Sequence, residues 1–187
     1  MGTRFTLRRA VTALAMGGAA AAASLVLTTP AASADSGNVK LMRLLDECDS
    51  VSFNATFGPN FCVKSGSVTA AQFTAALNTG GSPAWWINNR TESIKAGDPL
   101  HVINQGGILH TFTEVKTFGS GVIPPFNVAV NNAPTAIKPD GTPVGFGDIG
   151  TSGVAPATGA LDLTPAKGVH RYQCIFHPWM RTTVTVR

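Results

Sequence analysis

The chain has 187 residues, 14 basic and 10 acidic side chains, and a formal charge of +4. Arg4, Arg8 and Arg9 fall in an N-terminal segment read below as removable, which leaves eleven basic residues against ten acidic ones, a net +1. A nearly neutral body of about 150 residues is one ordinary domain able to bury its own core, and it lacks the basic stripe that nucleic-acid binding requires. Charged residues make up 13%, against about 25% in ordinary soluble domains, while 20 glycines and 12 prolines punctuate the backbone, a balance that favours a loop-rich β protein over a helical bundle.

Residues 1–34 have the three parts of an export signal: a basic start, an apolar run from Ala10 to Leu27, and the small-residue site Ala32-Ser33-Ala34. Cleavage there leaves Asp35 as the first residue and a mature protein that is secreted or periplasmic. The Arg8-Arg9 pair raises twin-arginine export, although Ala10, Val11 and Thr12 fit that signal poorly. No other segment is long and apolar enough to span a membrane.

From Asp35 to Val63 the pattern is mixed. Leu41, Met42, Leu44 and Leu45 suggest one or two helical turns, followed by a stretch dense in turn formers between Cys48 and Cys62. Such a stretch folds back and pairs its cysteines, and closing the 15-residue loop is worth ~3 kcal/mol on the chain-entropy model. Ser67 to Leu77 reads as a helix with Ser67 or Thr69 as cap and Gly80-Gly81 as stop. Residues 35–83 thus form an N-terminal extension, and residues 84–187 the main domain.

From Ala84 onward the period changes to short β-prone runs, at 84–87, 93–95, 100–103, 109–115, 168–174 and 182–186, separated by turn signals. Runs this short and regularly punctuated predict an all-β antiparallel sandwich. Between Gly119 and Thr158 periodicity is weak, and the segment reads as a long excursion over one end of the sandwich, ordered by Phe126, Val128 and Phe146.

The chemistry concentrates in Cys174-Ile175-Phe176-His177-Pro178-Trp179-Met180, where a thiolate, an imidazole and a thioether recur at spacings of three. Soft sulfur ligands with imidazole suit copper, and a cysteine with two histidines and a weak axial methionine is the blue-copper set. His110, just after the Gly106-Gly107 turn at the start of a strand, is the candidate second histidine. A ligand role also accounts for Cys174, the odd cysteine of an exported chain. His101 alternates with Leu100 and Val102 and so faces away from them, while His170 lies too far down its strand to reach the site. Trp85 and Trp86 read as core and rim.

These residues resemble the cupredoxin family, nearest to the plastocyanin- and amicyanin-like carriers. The C-x2-H-x2-M run is similar to the short ligand loop of amicyanin. Ile94 through Gly97-Asp98 to His110-Thr111 resembles the family's path from a Gly-Asp turn to its first histidine ligand, and Met180 to Val186 its last strand. The resemblance covers residues 84–187 and implies a Greek-key β-sandwich with a short N-terminal helical extension. It further implies one type 1 copper, with His110, Cys174 and His177 equatorial and Met180 axial. The residue after the first histidine, often Asn in small blue-copper carriers, is Thr111.

The implied function is that of an exported one-electron carrier, with copper supply or storage as the alternative, and not an enzyme. Oxidases and nitrite reductases of this type carry a histidine beside the cysteine, and here the neighbours are Gln173 and Ile175. The expected partner is a redox protein docking transiently near His177, Pro178 and Trp179, with Pro124 and Pro125 as neighbours, on a monomer without nucleic-acid or membrane contacts.

Overall fold

In a computed structural model, residues 38–64 and 66–187 are described; the export signal expected over 1–34 lies outside them. Among the described residues no helix is long and apolar enough to cross a membrane.

The segment expected to make helical turns is a strand, β1 (Lys40–Asp46). Its buried residues are Met42, Leu44 and Asp46, a period of two that sends alternate side chains to opposite faces. The cysteine stretch that follows is a helix as well as a loop. Asp49 caps α1 (Ser50–Phe57) by accepting from the Ser52 N–H at 2.9 Å, which satisfies one of the helix's free donors. Asn54, a residue that suggests a turn, instead clips the loop shut. Its side chain donates to the Cys62 carbonyl at 2.9 Å and accepts from the Cys62 N–H at 3.0 Å. Cys48 and Cys62 form the expected disulfide. The second helix, α2 (Ala70–Leu77), is capped by Thr69, one of the two expected cap residues, with a reciprocal Gln72 contact.

Two four-stranded sheets follow from β2 (Trp85–Ile87), β3 (Thr91–Ile94), β4 (Leu100–Asn104), β5 (His110–Thr111), β6 (Thr113–Val115), β7 (Gly153–Val154), β8 (Ala160–Leu163), β9 (Gly168–Gln173) and β10 (Arg181–Val186). One has the order β2-β1-β4-β8 and the other β3-β10-β9-β6, while β5 and β7 form a separate pair. Met42, Leu44, Leu100 and Val102 from the first sheet share one core with Ile94, Tyr172, Val184 and Val186 from the second, so the architecture is a β-sandwich with a short helical extension. Its pairing is not purely antiparallel, because β1–β4 and β10–β3 are parallel. Each of these pairs joins strands far apart in sequence, which crossover connections allow and hairpins do not.

The excursion is held from below. The buried Gln173 amide accepts from the Gly119 N–H at 3.1 Å and donates to the Gly119 carbonyl at 3.0 Å, and Arg181 donates to the same carbonyl. Phe126, in a 3-10 turn over Pro124–Val130, packs against the core as expected. Phe146 does not; it is largely exposed.

Candidate metal centre

His110, Cys174 and His177 converge from two parts of the chain. His110 is the first residue of β5, whose pairing with β7 (His110↔Val154) fixes its direction. Cys174 follows β9, and the loop behind it closes tightly on the start of β10. The Met180 N–H donates to the His177 carbonyl at 2.8 Å, and the Cys174 N–H to the Met180 carbonyl at 3.0 Å. The spacing of three therefore makes a hydrogen-bonded turn that presents Cys174 and His177 to the same point.

The facing atoms are Nδ1 of His110, Nδ1 of His177 and Sγ of Cys174. The two nitrogens are 3.2 Å apart, and the sulfur lies 3.9 Å from the first and 3.7 Å from the second. The point equidistant from all three lies about 2.1 Å from each, close to the bond lengths of ~2.0–2.3 Å that imidazole and thiolate make to a first-row metal ion such as zinc. All three residues are buried, with His177 the most open at 3%. The donor set, one thiolate and two imidazoles, fits copper. Met180 is buried beside them in the loop.

Burial alone lowers the proton affinity of His110, but the hydrogen bond to Asp46 and then the contact with Cys174 outweigh it and raise its pKa to about 9. Burial pushes the Cys174 thiol up, and the hydrogen bonds to His110 and His177 overcome this and hold it well below the ordinary thiol range. His177 is lowered, chiefly by desolvation. Both shifts favour the ionised thiol beside a protonated His110, so a metal ion that takes both ligands competes with protons there.

The surroundings hold the ligands. The Thr111 N–H donates to Cys174 Sγ at 3.4 Å, and the Thr111 hydroxyl accepts from the Ile175 N–H at 2.9 Å, tying the first ligand's strand to the ligand loop. Thr111 thus carries contacts to both sides of the site. The Trp85 indole stacks on the His177 ring at 4.5 Å between centroids and 18° between planes. Phe53 of α1 and Phe73 of α2 meet Trp85 edge-on at 5.6 and 5.1 Å. Trp85 is fully buried and Trp86 half-exposed, core and rim as expected.

Asp46 escaped the sequence reading: its Oδ1 lies 2.6 Å from His110 Nε2, both side chains being wholly buried. The signal that finds it is the alternation Met42, Leu44, Asp46 on one strand face, hidden when the segment is read as a helix. His101 instead pairs with Asp162 at 2.6 Å and His170 with Glu114 at 2.8 Å, away from the centre. Pro178 is buried and Trp179 half-buried, its indole N–H donating to the Trp85 carbonyl at 3.0 Å. His177 lines an apolar depression with Phe61, Leu109, Ile123, Phe126 and Phe176.

No protein-family model matches the chain, and no curated protein matches it. Among solved structures it is similar to a variant of amicyanin in its Cu(I) form, at 19% identity over 55% of this chain and 73% of that one, TM-score 0.34. It is also similar to a purple cupredoxin from Nitrosopumilus maritimus, at 18% identity over 57% and 86%, TM-score 0.35. A third similarity is to oxidised plastocyanin from Dryopteris crassirhizoma, at 14% identity over 57% and 91%, TM-score 0.35.

Proposed function

We propose that this protein is an exported blue-copper protein of cupredoxin type that holds one copper ion at His110, Cys174 and His177, with Met180 as the axial donor, and carries single electrons. The observation that supports this most directly is the buried triangle of two Nδ1 atoms and one Sγ, sized for one ion and rich in soft ligand character. Copper bound there supplies a one-electron couple between Cu(I) and Cu(II).

The chain's own residues do the rest. Thr111, the closed ligand loop and the Trp85 stack hold the three ligand side chains in one arrangement. A ligand set that barely moves keeps the reorganisation accompanying electron transfer small. Burial excludes water and slows metal exchange, which suits a resident ion better than a cargo ion. The Cys48–Cys62 disulfide accords with an oxidising compartment. Docking of a redox partner belongs at the apolar depression beside His177, with Pro178 and Trp179 as its inner support, since short-lived redox encounters bury little area.

Addition of Cu(II) to the purified protein is expected to give an intense visible thiolate-to-copper charge-transfer band, abolished by Cys174→Ala. Met180→Leu should keep the colour and raise the potential, because a weak donor that favours Cu(II) is lost. A colourless wild type with one bound Cu(II) overturns the proposal.

A further inference from the structure

The Asp46 carboxylate ties the turn before His110 to the His110 ring. Its Oδ2 accepts the N–H groups of Gly107 at 2.7 Å and Ile108 at 3.2 Å, and its Oδ1 faces His110 Nε2 at 2.6 Å. The turn is shaped to receive it: a Cβ on Gly106 would fall inside the carboxylate, so only glycine leaves room for Asp46 at that point. A buried carboxylate costs several kcal/mol unless it is fully hydrogen-bonded, and here both oxygens are engaged.

Building on the copper reading above, we infer that Asp46 is a positioning residue of the metal centre: it fixes the tautomer and orientation of His110, and thereby makes the N-terminal strand β1 part of the site. A carboxylate oxygen accepts, so Nε2 carries the hydrogen. The lone pair of the neutral ring is then on Nδ1, which points at Cys174 Sγ and His177 Nδ1. The ring is held at its far end by a strand that pairs with β4, the strand leading into the Gly106-Gly107 turn. Metal-bound histidines generally depend on such a partner for their tautomer and ring angle.

Asp46→Asn separates this role from simple space filling. The amide oxygen satisfies the two turn N–H groups, so its NH2 faces Nε2. The ring is then driven to the opposite tautomer, with a hydrogen on Nδ1 where the metal should bind. Gly106→Ala displaces the carboxylate without removing it and serves as the second variant.

Copper affinity, from competition with a chelator, should fall about 10- to 100-fold in both variants. In the diamagnetic Cu(I) form of the wild type, nitrogen-15 NMR should show His110 Nε2 protonated, its hydrogen slow to exchange, and Nδ1 carrying no hydrogen. A wild type without the charge-transfer band sinks the copper reading and this inference together. A coloured wild type with Nε2 unprotonated, or variants that keep wild-type affinity, sinks this inference alone. Should Asp46→Asn not fold, Gly106→Ala and the wild-type ring signals decide.

Discussion

Asp46 and Trp85 are direct partners across the β1–β2 ladder, and each holds one imidazole of the metal centre. Asp46 is bonded to the ring edge of His110, and Trp85 stacks on the ring face of His177. One rung of a two-strand pairing therefore braces both imidazoles of the candidate site. Helices α1 and α2 stand behind it, since Phe53 and Phe73 pack on Trp85. The N-terminal extension buttresses the site.

Replacing Trp85 tests that brace. An aromatic stack is worth about 0.5–1.5 kcal/mol beyond its buried area, or roughly two- to tenfold in an equilibrium constant. Trp85→Leu should speed the loss of copper to a chelator by about that factor. The emptied volume should cost a further 2–4 kcal/mol of folding stability, roughly the range for a truncated core aromatic. Chelator kinetics and urea melts check the two effects separately. Metal loss at the wild-type rate would show that the stack does not hold the ligand.

The disulfide should act on stability alone. Cys48 and Cys62 close a loop that contains α1 and reaches the site through Phe53 and Phe61, which pack on Trp85. The double replacement by Ser is expected to cost about 3 kcal/mol on the loop-entropy model and to leave the copper spectrum unchanged. Denaturation of the copper-loaded variant, with its spectrum recorded beforehand, measures both.

His170 gives a pH-dependent contribution whose direction is fixed by its partners. Nδ1 lies 2.8 Å from Glu114 Oε1 and Nε2 lies 2.7 Å from the Ala166 carbonyl. Two acceptors require two N–H groups, so the folded protein favours the imidazolium. Burial opposes this, but the Glu114 hydrogen bond and the Ala166 carbonyl win, and the pKa is raised above 6.5. A raised folded pKa gives stability that is complete below about pH 6.5 and is lost as pH climbs through the folded value. His170→Gln should remove this slope; urea melts of copper-loaded wild type and variant at about pH 6 and pH 8 compare it. Equal slopes would refute the assignment.

The convergence of His110, Cys174 and His177 was legible because it depends on local spacing: Cys174, His177 and Met180 share one turn, and the turn before His110 marks a strand start. The cap of α2 was legible for the same reason. What escaped depends on pairing between distant segments. Leu41, Met42, Leu44 and Leu45 put apolar side chains on both faces of β1, buried on one and half-buried on the other, and such a run does not reveal its period. With β1 read as helix, Asp46 had no reason to face the core. Likewise β7 and β8 lie at the end of a Gly- and Pro-rich excursion, where partner strands rather than local sequence decide the conformation.

The docking surface can be tested with the protein as its own partner. Electron self-exchange between Cu(I) and Cu(II) copies requires two identical faces to meet at the closest approach to the metal. The apolar depression beside His177 is the face expected to do so, and Leu109 stands exposed on its rim. Leu109→Lys puts a positive charge on both faces of that encounter. Like charges brought together at a contact cost up to several kcal/mol, so self-exchange should slow by at least about tenfold, and added salt should restore part of the rate by screening. The copper spectrum should not change, because the Leu109 side chain points to solvent while His110 points inward. Trp179→Ala should behave differently: its indole N–H is tied to the Trp85 carbonyl and its ring lies 5.5 Å from His177, so its loss should disturb the spectrum itself. Self-exchange rates from NMR line broadening of mixed Cu(I) and Cu(II) samples, set beside the optical spectra, separate the two variants. An unchanged rate for Leu109→Lys at low salt would move the electron port to another face of the molecule.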